Sequence, residues 1–121
     1  MVADPTKSEL EILQVLWEKG PSSVREVTDE LNNKIREVQY ASILKLMQIM
    51  TEKQILARDE TNIKHIYRAI LEEDSTKKDL LTKFVDTIYK GSASSLMMQL
   101  IGSNKADKKE LDAIKEILKN L

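Results

Sequence analysis

Residues 38–69 read VQYASILKLMQIMTEKQILARDETNIKHIYRA. In the first half, Tyr40, Ile43, Leu44, Met47 and Met50 recur at i, i+3, i+4, i+7 and i+10, the repeat of one helix face. Ala41, Ser42, Lys45, Gln48 and Glu52 take the other side, so the spacing predicts an amphipathic helix from near Val38 to about Lys53. In the second half, Ile55–Glu60 and Lys64–Ala69 are each too short for a helix. They flank Thr61-Asn62-Ile63, where asparagine tolerates a positive φ. Two strands joined there form a small hairpin. An isolated hairpin is marginal in water, so this one must pack on helices through Ile55, Ile66 and Tyr67.

Upstream, Thr6-Lys7-Ser8-Glu9 is a capping box: the Thr hydroxyl accepts an orphan amide proton while Glu9 reaches back. Leu10, Leu13 and Trp17 follow at helical spacing, widened by Ile12 and Leu16, until Gly20-Pro21 stops the helix. Ser23-Val24-Arg25-Glu26 is a second capping box, opening a short helix through Val27 and Leu31 to about Asn32, with Asn32-Asn33 marking a turn. Helix, helix, helix, hairpin is the winged-helix order. Residues 1–72 are therefore expected to form a winged helix-turn-helix domain, mostly α with a small β-hairpin wing.

Downstream, Thr76-x-x-Asp79 reads as the cap of a helix with the stripe Leu80, Leu81, Phe84, Val85 and Ile88, ended by Gly91. A short helix from about Ser92 carries Leu96, Met97, Leu100 and Ile101 and closes at Gly102; Asp107-x-x-Glu110 leads into Leu111, Ile114, Ile117, Leu118 and Leu121. Three short helices in residues 73–121 cannot bury such stripes alone. Two-fold pairing with a second copy covers them; packing on residues 1–70 is the alternative. The expected homodimer interface is Leu81, Phe84, Val85, Ile88, Leu96, Leu100, Leu111, Ile114 and Leu118.

Composition narrows the function. The chain has no cysteine, which excludes disulfides, thiolate nucleophiles and cysteine zinc sites. His65 is the only histidine and has no visible acid–base partner or set of co-ligands. No catalytic residue, metal or cofactor is expected. Met47, Met50, Met97 and Met98 sit at apolar positions and read as core or interface fill rather than a copper site, and Trp17 as core. The start has charges and no apolar signal segment, and no apolar run approaches the ~20 residues of a bilayer span. A cytoplasmic protein with no membrane insertion is expected.

Net charge is −1, yet residues 34–68 hold seven basic and four acidic side chains, a local balance of +3. Such a zone suits phosphates; a solvated mixed-charge surface is the plainer reading. On the helix at 38–53, Gln39, Ala41, Ser42, Lys45 and Gln48 could face the major groove of double-stranded DNA, since Ser and Lys meet phosphates or base acceptors and Gln pairs with adenine. Ile49 either touches a thymine methyl or packs inward. Arg58, Lys64 and Arg68 on the hairpin are further contact candidates, although basic residues on an exposed edge also discourage aggregation.

The stretch PTKSELEILQVLWEKGPSSVREVTDEL (5–31) resembles the opening of the penicillinase and methicillin-resistance repressor family, with its Gly-Pro stop followed by Val-Arg-Glu-Val. Tyr40–Met47 sits where that family has a recognition helix containing Tyr-Thr-Thr. Glu52-Lys53 with Ile55-Leu56, His65-Ile66-Tyr67-Arg68 and Ile88-Tyr89-Lys90-Gly91 with Ser95-Leu96 follow in the family's order, so the resemblance spans roughly residues 5–120. It implies a homodimer repressing transcription from a palindromic operator, relieved in the best-known members when a sensor-linked protease leads to cleavage in the C-terminal region. The chain departs from the pattern in several places. Thr-Thr stands here as Ala41-Ser42, a commonly basic position as Ile49, a usual glycine as Gln54, and the Asn-Phe cleavage bond as Gln99-Leu100. The Cys-x-Cys motif of related copper-responsive repressors has no counterpart. The Ala-Ser exchange and a pI near 5.9 also suit a rival reading, a winged-helix adaptor that binds protein without reading DNA sequence.

Overall fold

A computed structural model of the chain describes residues 4–61, 63–102, 108–109, 112–113 and 116. The elements run α1 (Lys7–Lys19), α2 (Val24–Lys34), α3 (Tyr40–Glu52), β1 (Leu56–Asp59), β2 (Ile66–Ala69), α4 (Glu73–Ile88) and α5 (Ala93–Gly102). This is a winged-helix fold, mostly α with one antiparallel hairpin. The chain divides into two compact units, Met1–Thr76 and Lys77–Leu121.

Local chemistry sets the helix starts. Both capping boxes form: Thr6 Oγ1 accepts from the Glu9 amide at 3.2 Å and Ser23 Oγ from the Glu26 amide at 3.2 Å, while each glutamate accepts from its cap amide in return. Gly20 ends α1 at φ +84°, a value that strains any side chain. In the first unit the apolar stripes meet in one core, in which Ile12, Leu13, Val27, Met47, Met50 and Ile55 lose all solvent contact. Each such side chain contributes roughly 1.5–3 kcal/mol relative to exposure. Leu10 and Trp17 pack at its edge, and the Trp17 indole N–H donates to the Leu71 carbonyl at 2.9 Å.

The hairpin register pairs Leu56 with Ala69, Ala57 with Arg68, Arg58 with Tyr67 and Asp59 with Ile66. Tyr67 is buried and pairs on its other side with Ser22, exchanging backbone hydrogen bonds of 2.9 and 2.8 Å. The link before α2 therefore supplies a third, one-residue strand that stitches the wing to the helices.

Four expectations need correction. The third helix starts at Tyr40 rather than near Val38, and Tyr40 is 40% exposed instead of lining the core, because the first helical turn overhangs it. The second helix runs to Lys34, past Asn32, since the Asn32 side chain bonds helix and turn at once. Thr76 does not cap α4: the helix begins at Glu73, and the Thr76 amide already donates to the Glu72 carbonyl at 3.0 Å. Acidic Glu73 and Asp74 suit that first turn, where orphan amides favour negative charge. The hairpin strands are shorter than expected, four residues each.

In the second unit, Lys90 and Gly91 take positive φ after α4, and the Gly91 amide returns to the Val85 carbonyl at 3.1 Å. Ser92 caps α5 by accepting from the Ser95 amide at 3.2 Å. Leu81, Phe84, Ile88 and Leu100 are exposed, and Val85 and Leu96 half-buried. Leu111, Ile114 and Leu118 lie outside the described residues.

Candidate nucleic-acid interface

α3 is divided lengthwise. Ile43, Met47 and Met50 are buried, whereas Ala41, Ser42, Lys45, Gln48, Ile49 and Glu52 are exposed on one continuous arc. Gln39 is exposed at the N-cap and its side chain caps nothing. Two clamps hold this helix. At its start, the Asn32 amide group accepts from the Val38 N–H at 2.9 Å and donates to the Val38 carbonyl at 3.3 Å and the Thr28 carbonyl at 3.0 Å. Just past its end, the Lys53 ammonium donates to both oxygens of the buried Glu9 carboxylate.

Beside the start of α3 lies an open groove of about 410 Å³. Arg25 from α2, Tyr40 from α3, and Lys64 and His65 from the wing line it, over a floor that includes Val24 and Leu44. The Arg25 guanidinium stacks 4.5 Å from the Tyr40 ring centroid, a cation–π contact between α2 and α3. Sequence reasoning missed Arg25 by treating it only as a spacer in a capping box. The signal was available: Val24 and Val27 must face the core, which turns Arg25 and Glu26, the two residues between them, to solvent. The neighbouring Glu26 carboxyl is held below its usual range, first by the Ser23 amide and hydroxyl, with Lys64 and Lys19 assisting through charge.

The other cations are distributed less simply than a tally of the 34–68 zone suggests. Lys34 pairs with Glu30 one turn back in α2 at 2.6 Å and reaches Glu18 of α1 at 3.7 Å, while Arg36 pairs with Glu11 at 2.9 Å and Lys53 with Glu9 at 2.8 Å, so three of the bases are engaged by glutamates of α1 and α2. Arg58 faces Tyr67 across the hairpin, and hydrogen bonding to that side chain, with the Glu60 carboxylate beside it, pushes the guanidinium pKa up. Lys45, Lys64 and Arg68 make no ion pair among the described residues. Of these, the structure brings Lys64 to the groove at α3; Arg68 points to the other face of the hairpin, in a hollow with Trp17 and Pro21. Gln99 and Leu100 lie within α5 of the second unit, both exposed. Among the described residues no cluster of His, Asp or Glu could hold a metal ion, and no helix is long and apolar enough to cross a membrane.

The chain is similar in sequence to known proteins over nearly its whole length. The sequence family described as penicillinase repressor matches residues 5–120. The penicillinase repressor of Staphylococcus aureus is 24% identical over 114 residues, covering 94% of this chain and 90% of that protein. The methicillin resistance regulatory protein MecI of Mammaliicoccus sciuri is 22% identical over 113 residues, covering 93% and 91%. Among solved structures, Bacillus subtilis PadR in complex with operator DNA superposes with a TM-score of 0.44 at 16% identity, covering 96% of this chain and 69% of that one. With nearly every residue inside the family match, the chain belongs to the penicillinase-repressor family.

Proposed function

We propose that the chain is a sequence-specific transcriptional repressor that binds a palindromic operator as a homodimer, each copy laying α3 in the major groove of one half-site. Membership of the penicillinase-repressor family makes it a regulator rather than an enzyme. The observation that carries the DNA reading is the partition of α3, whose exposed arc offers Ser42, Lys45 and Gln48 together. A hydroxyl, an ammonium and a carboxamide are the groups that meet base edges and phosphates. Arg25 and Lys64, in the groove at the start of that helix, suit the adjoining phosphates, and Gln39 lies at the same end.

The homodimer reading rests on the second unit, where Leu81, Phe84 and Ile88 form an exposed stripe on α4. A two-fold partner covers such a stripe with its own copy, and two recognition helices then meet half-sites about one DNA turn, ~10 bp, apart. For relief by a sensor-linked protease, the Gln99–Leu100 bond is solvent-facing but inside a hydrogen-bonded helix, so α5 has to open locally before cleavage. A fragment ending at Gln99 in cells exposed to inducer is the expected trace.

Footprinting on genomic DNA, including the region upstream of the chain's own reading frame, tests the main reading. One protected palindrome is expected, bound roughly tenfold more weakly by Lys45→Ala, as for a lost base or phosphate contact. Equal binding by Lys45→Ala would show that this face does not touch DNA. Absence of any protected site would favour the protein-binding adaptor instead.

A further inference from the structure

We propose that Ile49 reads a thymine 5-methyl group in the major groove, so that each half-site carries a thymine under the C-terminal part of α3. The inference rests on the DNA reading above and deepens it. Ile49 is 39% exposed, whereas Ile43, Met47 and Met50 on the same helix are at 4% or less. At 100° per residue, Ile49 falls between Ser42 and Lys45 around the helix, about 20° from Ser42 and about 60° short of the half-buried Leu46, so it lies within the exposed arc, toward its Leu46 side. The other half-exposed apolar ring of α3, Tyr40, is accounted for by Arg25 stacked on it. Ile49 has no such cover.

Duplex DNA offers an aliphatic side chain few partners. In the major groove, hydrogen-bonding groups mark every base pair, and the thymine methyl is the apolar one. Ser42, Lys45 and Gln48 can report acceptors and donors, but none of them distinguishes a methylated pyrimidine from a bare one. Ile49 can, because burying one methyl group against its side chain favours binding roughly fourfold. It lies seven residues beyond Ser42, about 10 Å farther along α3, so the thymine belongs to a different base pair from the one under Ser42.

The experiment replaces each thymine of the footprinted site, singly, with deoxyuridine, which removes only the methyl group, and measures binding of the full-length protein and of Ile49→Ala. Loss of roughly fourfold at one position per half-site for wild type, with Ile49→Ala indifferent there, is the expected result. Two outcomes overturn the inference while leaving the repressor reading intact. In one, wild type protects the site normally and is indifferent to every deoxyuridine. In the other, Ile49→Ala keeps the full thymine preference, which assigns the methyl contact elsewhere on the helix. Failure to protect any unmodified site overturns both readings, and it is visible before any base is replaced.

Discussion

The Lys53 ammonium sits 2.8 and 3.0 Å from the two carboxylate oxygens of Glu9, joining the residue after α3 to the first turn of α1 across 44 positions of sequence. Glu9 is 1% exposed and also accepts from the Thr6 amide at 2.9 Å. Burial by itself pushes its pKa up; the Lys53 ammonium and the Thr6 hydrogen bonds more than offset that, and the carboxyl titrates below its ordinary 4.5. A lowered folded-state pKa contributes stability that is complete above the unfolded value and is lost as pH falls through the folded one. Lys53→Met should cost about 1–3 kcal/mol at neutral pH, the range for leaving a buried polar group unpaired, and the cost should shrink as pH falls and Glu9 takes up its proton, so that the acid limb of stability becomes shallower. Urea melts across the acid range check this; an unchanged acid limb in Lys53→Met would contradict it.

The second clamp gives a different signature. Asn32 fastens Val38 through both its N–H and its carbonyl, and so fixes how the chain enters α3. These bonds are partly in water, so Asn32→Ala is expected to cost only about 1 kcal/mol in thermal or urea unfolding. Asn32→Asp should rescue little, because a carboxylate keeps the acceptor for the Val38 N–H but faces the Thr28 and Val38 carbonyls without a donor. Operator affinity should fall in both variants at temperatures where the protein stays folded. Full affinity in Asn32→Ala would mean that α3 is held adequately by its core contacts alone.

Salt dependence separates the cations of the first unit. Lys64→Ala and Arg25→Ala should each lower the slope of log affinity against log salt by about one, the effect of a lost phosphate contact. Arg58→Ala should lower it less, since the guanidinium is already engaged by Tyr67 and Glu60. Tyr40→Phe should keep the Arg25 contribution, because the ring that carries the stacked charge remains. Equal slopes for all four variants would place the phosphate contacts elsewhere.

Features written in a few consecutive residues were legible in the sequence. The boxes at Thr6–Glu9 and Ser23–Glu26, the Gly20 stop and the buried triplet Ile43, Met47 and Met50 all follow from local spacing. Contacts between distant segments were not. The Ser22–Tyr67 pairing joins positions 45 apart through backbone atoms, which carry no side-chain signature. The basic zone at 34–68 was legible as a count, but not that Lys34, Arg36 and Lys53 face glutamates of α1 and α2. Periodicity likewise put Tyr40 on the buried stripe, because a helical repeat says which way a residue points and not how far the core extends beneath it. Ile49 was open for the converse reason: its chemistry argued for the interior, and only its exposure in the fold places it outside.

Leu81, Phe84, Val85 and Ile88 stand at i, i+3, i+4 and i+7 on α4, with Phe84 48% and Ile88 59% exposed. If a second copy covers this stripe, each Phe84 ring buries its exposed half against the partner, worth roughly 1 kcal/mol per copy and twice that across a two-fold interface, and an aspartate there would add the cost of two carboxylates taken out of water. Phe84→Asp should therefore weaken dimerisation by at least about a hundredfold, and sedimentation should shift it from dimer to monomer. Because Phe84 is already half in water within the single chain, the helical circular dichroism should be kept, which distinguishes loss of pairing from loss of folding. Operator affinity should fall steeply in parallel, since a lone recognition helix meets only half of the palindrome. A Phe84→Asp protein that still sediments as a dimer would move the interface off α4.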